Sequence, residues 1–347
     1  MPNFHTCIAM LCGLVLQANA MAETVRIFNW EEYLAPDVIA AFERESGHKL
    51  EQFYLDNEEQ RDALILSGRG ANFDLVIIDS QSLKTEGKKA YFATLPMAQI
   101  PNSQHLSPAL QQACGNKGLA YSWGTIGVAY RASANPQGID SWASVFAIEP
   151  ANQYKTVMLS DSVDSTALSL IALGLPPYSV DKNHLKQAYA LLQQQKAYLH
   201  SYGYGLSYVI DKQAASDITM AVTYSGDIKH FISASGQQDW RYSIPKEGTI
   251  IWTDCLAIPH RTGAIKKATL AFLNFINRPD IALLNAQTSG LATPNLGALA
   301  LADDSYSKDD ELFPSPQVLA NSHYAQSLPN EQLKLRSRML QKLNQSE

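Results

Sequence analysis

Past its first 22 residues the chain has no segment long and apolar enough to cross a bilayer, which leaves no room for a membrane-spanning helix. It also has no run of basic residues, and its net charge is -6. The positive footprint needed to hold a phosphate backbone is missing, which argues against nucleic acid as a partner. His48, His105, His184, His200, His230, His260 and His323 show no HExxH or paired metal spacing, and there is no GxSxG elbow. Metal-assisted and nucleophilic hydrolysis therefore lack their constellations. SGRG at 67–70 has neither GxGxxG nor GxxxxGK spacing and reads as a loop rather than a phosphate cradle. Acidic pairs could in principle serve glycoside hydrolysis, but acids set beside aromatics serve a binding cleft equally well. No enzyme, cofactor or metal is expected.

Cysteine is scarce. Cys7 and Cys12 lie in the first 22 residues, leaving Cys114 and Cys255, which have no CxxC partner. Structural zinc has no support. In an oxidising compartment two such residues are either a disulfide or two buried small side chains, and the sequence leaves both readings open. Repeats, heptads and low-complexity stretches are absent as well.

What is present is enough chain, at 347 residues, for two domains with separate cores. Residues 1–22 carry an apolar stretch from Cys7 to Leu16, then small residues in an A-x-A pattern ending at Ala20 and again at Ala22. This reads as a secretory signal peptide, with His5 in place of the usual Lys or Arg. Met10 and Leu11 before Cys12 do not form a lipoprotein cleavage box, so a soluble exported protein is expected.

Strand and helix patterns alternate from residue 25 onward. Val25, Ile27 and Phe28 read as a strand, and 36–47 as a helix stopped by Gly47. Residues 48–55 read as a second strand, then a helix capped by Asn57, then a buried strand FDLVII at 73–78. This order indicates an α/β sheet. A second cycle follows. GLAYSWGTIGVAYR (118–131) reads as two strands split by Gly124, and TVMLSD (156–161) as a strand. Helices are expected at 163–173 and 181–200, with a strand at 218–224 and a helix at 226–234. TIIWTDCLAIP (249–259) is long enough to pass between two units. Helices at 263–276 and 279–286 precede a polar, irregular stretch at 301–316 and a charged amphipathic helix at 329–343.

Several strands end in an acid beside an aromatic or small polar residue: NWEEY, IIDSQ, MLSDS, TYSGD and IIWTDC. Strand ends of an open α/β sheet border its ligand crevice, so these five would converge if two sheets faced each other. Carboxylates accept charge-assisted hydrogen bonds from an amine, while aromatic faces attract it and hold its methylenes. The pattern suits a small cation.

At IFNWEEYL, FDLVIIDS, SWGTIGVAY, SWASVF, TYSGD, IPKEGTIIWTDCLAIP, FLNFINRPD and ATPNL, the sequence resembles the periplasmic polyamine-binding proteins. These are the spermidine- and putrescine-binding components of bacterial ABC importers, within the class II solute-binding proteins. The resemblance spans nearly the whole mature chain. It implies a periplasmic, monomeric, two-lobed α/β protein whose lobes close on a ligand, each lobe a mixed sheet flanked by helices. Lobe one is expected at 23–129 plus 254–300, and lobe two at 130–253 plus 301–347.

Carried over residue by residue, Trp30 and Tyr33 match aromatics lining the ligand channel. Tyr224 matches a position that is usually Trp, and Asp227 the acid of the putrescine-type run. Trp252 and Asp254 match the aromatic and carboxylate that grip an amino group. The departures are Glu31 in place of Thr or Ser, Asp79 in place of Ser, and Gln81 and Leu291 in place of Tyr. Ser162 and Ser165 stand at positions where an acid is usual, beside Asp161 and Asp164. Acids are thus shifted toward lobe one, which marginally favours a triamine, spermidine or norspermidine, over putrescine. The implied partner is an inner-membrane permease. The rival is the periplasmic domain of a membrane signalling protein controlling cyclic-di-GMP and biofilm formation.

Overall fold

The computed structural model describes residues 22–54, 58–85, 87–211, 217–260 and 263–345. Asn57, read as a helix cap, and nearly all of the signal peptide lie outside these residues. Ten strands form the framework: β1 (Thr24–Asn29), β2 (Lys49–Tyr54), β3 (Leu75–Asp79), β4 (Gly118–Arg131), β5 (Thr156–Met158), β6 (Ser201–Tyr202), β7 (Met220–Tyr224), β8 (Trp240–Ser243), β9 (Ile250–Ala257) and β10 (His323–Tyr324). Their order is β2-β1-β3-β9-β4-β7-β5-β6, with β10 on β9 and β8 on β4.

The two ends of this order are separate lobes. Parallel pairs β1–β2 and β1–β3, joined to β9 in antiparallel register, make one sheet. Its faces bury Val25, Ile27, Phe42, Leu75, Ile77 and Phe272 on one side, and Phe28, Val76, Ile78 and Phe92 on the other. The second lobe packs Val128, Trp142, Met158, Leu168, Val222 and Leu340 into one cluster, and Ala129, Val157, Phe231 and Trp240 into another. The strands β4 and β9 are common to both. Residues 118–125 of β4 pair with 257–251 of β9, and beyond that point β4 pairs with β7 and β8. Two long antiparallel strands crossing together form the hinge.

Gly124 does not split β4, which runs unbroken over 14 residues. A Cβ there would lie 2.4 Å from the Trp252 ring and 2.3 Å from Ser225 Oγ. The glycine is a point of close approach, where an indole lies flat on the hinge backbone, rather than a strand breaker. The irregular stretch expected at 301–316 contains a short helix, Asp304–Ser307, and buries Tyr306 and Leu312 against Ala286 and Ala292. The remaining helices keep their expected places with ends moved by a few residues: Pro36–Ser46 closes on Gly47 in a left-handed conformation, and the last runs Asn330–Gln345. The cysteine ambiguity resolves as a Cys114–Cys255 disulfide with Cα atoms 5.8 Å apart. It ties the helix Pro108–Cys114 to β9, one residue past Asp254.

Candidate functional site

The β3–β9 register sets the lobe-one wall. Asp79 and Asp254 are direct partners across this antiparallel pair, so their side chains leave the same face of the sheet as neighbours. Two like charges there repel unless something offsets them, and the two groups meet different fates. Asp79 Oδ1 accepts from the backbone N–H of Ser82 at 2.7 Å, capping the helix Ser80–Lys84. Its Oδ2 accepts from Arg61 Nη2 at 3.0 Å. Burial alone would raise the Asp79 pKa, but Arg61 and the Ser82 hydrogen bond hold it below the usual carboxylate range. Asp254 is 9 % exposed. Burial and the charge of Asp79 push its pKa up to about 7, against the pull of Arg61 and a hydrogen bond from the Tyr33 hydroxyl.

Arg61 comes from the helix Glu58–Leu66 and is 1 % exposed. Glu58, at the start of that helix, is an exposed acid in the same field. Although its surface is open to water, its pKa rises to about 8 because of the charge of Asp79 first and the surrounding protein second, against the pull of Arg61 and with smaller contributions from Asp161 and Asp254.

The turn after β1 supplies the aromatics. Trp30 is half-buried against the lobe-one clusters. Glu31 and Glu32 point to solvent, Glu32 with a left-handed backbone (φ 63°) that turns the chain back inward. The Tyr33 carbonyl accepts from the Tyr121 hydroxyl and from Asn285 Nδ2, fixing the residue from two sides. Its ring stacks on Tyr121 at 6.5 Å. Burial, then the charges of Asp254 and Asp227, raise the Tyr33 pKa well above its ordinary value.

On the lobe-two wall, Asp161, Asp164 and Asp227 make no ion pair among the described residues, and only His230 opposes the raised pKa of Asp227 as a nearby positive charge. Asp161 caps the helix Ser162–Ala172 by accepting from the N–H groups of Val163 and Asp164 at 2.8 and 2.7 Å. Although its surface is open to water, the surrounding protein raises its pKa, aided by Asp79 across the cleft and opposed by the two N–H donors. Asp164, in the first turn, accepts from the Tyr224 hydroxyl at 3.2 Å. Burial and then Asp161 raise it well above the ordinary value. Asp227 accepts from the Tyr204 hydroxyl at 2.8 Å, from the Thr223 hydroxyl and from the Tyr224 N–H. Burial nevertheless raises its pKa. Tyr224 meets Trp252 edge to face at 6.3 Å, and the indole N–H of Trp252 donates to the Thr125 carbonyl at 3.3 Å.

Of the residues picked from the sequence, Tyr33, Asp79, Asp161, Asp164, Tyr224, Asp227, Trp252 and Asp254 are linked to one another between the lobes, and Trp30 packs on the lobe-one cores. The acids of each wall sense those of the other. The other five lie differently. Glu31 is exposed and has no hydrogen bond or ion pair with another described residue. Ser165 is buried, its hydroxyl donating to the Leu159 carbonyl at 2.7 Å. Ser162 accepts from Thr166 through its carbonyl, as Gln81 does from Thr85. Leu291, half-buried, holds the Tyr306 hydroxyl through its carbonyl beside a small cavity lined by Tyr121 and Asn285. Sequence reading missed Glu58, Arg61 and Tyr204. Glu58 and Arg61 lie on a helix, Tyr204 follows the two-residue strand β6, which the sequence pattern does not mark, and a buried arginine leaves no mark on helical periodicity. The acid-to-base spacing of Glu58 and Arg61 was the one available signal, and it is common on solvated helices.

Comparisons with known proteins give the family and the fold. Residues 37–314 match the family model for bacterial extracellular solute-binding proteins. The chain is 32 % identical over 333 residues to a norspermidine sensor of Vibrio cholerae, covering 96 % of this chain and 91 % of that one. It is 28 % identical to a putrescine-binding periplasmic protein of Pseudomonas aeruginosa, covering 88 % of each. The spermidine/putrescine ABC transporter substrate-binding protein of Streptococcus pneumoniae has the same fold, with a TM-score of 0.82 over 93 % of this chain and 99 % of that one at 21 % identity. Such proteins bind solutes and do not transform them. The chain belongs to the bacterial extracellular solute-binding proteins, as a periplasmic, two-lobed class II member of the spermidine/putrescine group.

Proposed function

We propose that this protein captures a polyamine in its interlobe cleft and presents it to the membrane component of an ABC importer. The observation that carries the reading is a set of acids, Asp254, Asp164, Asp161 and Asp227, held among aromatic rings with pKa values all pushed upward. Burying a carboxylate without a counter-charge is unfavourable, and a chain of ammonium groups spaced by methylenes supplies the charges. Trp30, Tyr33, Tyr224 and Trp252 hold the methylenes and face the cations. With acids on both walls, a triamine such as norspermidine or spermidine fits better than putrescine. The ligand contacts proposed from sequence at Glu31, Gln81, Ser162, Ser165 and Leu291 stay peripheral to this set.

A second reading is favoured by one observation, the 32 % identity to a norspermidine sensor against 28 % to a putrescine-binding protein. In it, the closed, liganded protein signals to a membrane receptor instead of feeding a permease. The lobe division belongs to the same proposal, with 23–129 plus 254–300 against 130–253 plus 301–347. Packing of the helix Asn330–Gln345 on the second-lobe core supports its last part. Tyr306 and Leu312, packed on Ala286 and Ala292, support moving that boundary beyond 313.

Titration calorimetry of ligand-stripped protein tests the capture. Binding of norspermidine or spermidine is expected, tighter than putrescine, and no heat with any of the three would sink the reading. Uptake of labelled ligand in a strain lacking the gene separates the two partners: lost uptake supports import, and unchanged uptake supports sensing.

A further inference from the structure

The lobe-one wall contains a cation that no ligand provides. Arg61 is almost fully buried, yet it points its guanidinium at the cleft carboxylates rather than away from them. Nη2 is 3.0 Å from Asp79 Oδ2 and 3.3 Å from Asp62 Oδ1, Nε is 3.3 Å from Asp62 Oδ1, and Nη1 is 3.7 Å from Glu58. Its charge is also felt by Asp254. Lys88 sits behind it, engaged by Asp62. Glu58, Asp62 and Asp79 are thus met by two protein cations, while Asp254, one strand away from Asp79, is left with the Tyr33 hydroxyl. A guanidinium is the side chain least prone to lose its charge or exchange it for water, which suits a permanent occupant.

We propose that Arg61 is a built-in stand-in for a ligand ammonium: it saturates Asp79, ends the amine-reading row at Asp254, and so sets the upper length of the polyamine the cleft accepts. The inference rests on the reading of the cleft as a polyamine site. The physical argument is charge exclusion. A ligand lying between Asp254 and the lobe-two acids would bring its next ammonium toward Asp79 and Glu58. There it meets a fixed positive charge within hydrogen-bond distance of the same carboxylate, and two cations competing for one acid repel each other. With Arg61 made neutral, Asp79 and Glu58 become free for one more ammonium. The asymmetry of the two walls follows, because Asp164, Asp161 and Asp227 are met by hydroxyl and N–H donors and remain available to the ligand.

The test compares norspermidine, with three amines, and spermine, with four, by calorimetry. The proteins are the wild type, Arg61→Met, which keeps most of the volume, Arg61→Gln, which keeps a donor to Asp79, and Arg61→Lys, which keeps the charge. Folding of each is checked by thermal unfolding, and either neutral variant suffices if the other does not fold. The ratio of spermine to norspermidine affinity should rise about tenfold or more in a neutral variant and stay within about threefold of wild type in Arg61→Lys. An unchanged ratio in a folded neutral variant overturns the inference, as does an equal weakening of both ligands, which marks Arg61 as a scaffold residue. If the wild type binds neither amine, the polyamine reading fails and takes this inference with it, a result distinct from an unchanged ratio.

Discussion

The two walls of the cleft carry similar numbers of acids and treat them in different ways. On lobe one, Asp79 is capped by a backbone N–H and paired with a buried arginine, and its pKa falls. On lobe two, Asp164 and Asp227 have only tyrosine, threonine and backbone donors, and their pKa values rise. A hydroxyl shares a carboxylate's charge without cancelling it, whereas a guanidinium cancels it. Asp79 is therefore compensated within the protein, whereas Asp164 and Asp227 are not, and Glu58 keeps a raised value despite Arg61. Asp254 stands on the hinge strand between the two walls and behaves as lobe two does, although it belongs to the sheet of lobe one. Under the proposed capture, the ligand's cations would complete the wall that lacks a counter-charge.

The largest expected effect strikes the residue between the walls. Asp254→Asn should weaken polyamine binding by roughly 2 to 5 kcal/mol, since the ligand ammonium would be left buried without its charge partner. Calorimetry reads this directly, and an unchanged affinity would move Asp254 out of the site and break the comparison.

Proton uptake gives the next effect. Asp254 holds its proton in the folded protein up to about pH 7 against a reference of 3.8, and Glu58 up to about 8 against 4.5. Groups with raised folded-state values stabilise the fold fully below the unfolded value and lose that contribution as pH rises through the folded one. Asp79, shifted down, acts in the opposite sense and is lost only in acid. Ligand-free protein should therefore melt at a higher temperature when the pH is lowered from about 8 to about 5.5, while the stabilisation added by ligand shrinks as protons compete with it. Scanning calorimetry with and without norspermidine checks both slopes, and a flat ligand-free profile would show that Asp254 and Glu58 are already compensated.

The smallest effect is expected at Glu31. Exposed and outside the network, it should change affinity by no more than about twofold as Glu31→Gln, because a solvent-facing charge is screened by salt. A tenfold loss would sharpen the comparison differently, by showing that the turn after β1 swings into the closed cleft.

Much of this was legible in the chain. Alternating strand and helix patterns define an α/β protein, and acids at strand ends beside aromatics mark the crevice, because strand ends and crevice coincide in open sheets. Asp161, Tyr224, Asp227, Trp252 and Asp254 were singled out that way, and Asp164 through the resemblance. Ser165 was not separable from Asp164 by pattern, since the first turn of a helix offers neighbouring residues to opposite faces, and only packing against Leu159 assigns Ser165 to the core. Gly124 illustrates the same limit: a strand-breaking residue in sequence, it is required by an indole contributed from 128 residues further along.

The sequence by itself determined the fold class, the export signal as an expectation, and the strand ends that carry acids and rings, because these depend on local periodicity and residue type. Tertiary structure decided which acids are paired with a cation and which are held by hydroxyl and N–H donors alone. Charge balance is a property of neighbours in space: a disulfide joins Cys114 to the strand of Asp254, a register sets Asp254 opposite Asp79, and a buried Arg61 from a different helix cancels one of the two and leaves the other. The stretch NWEEY suggests the chemistry of the cleft, but the charge pairings around Asp254 lie in contacts that no linear spacing records.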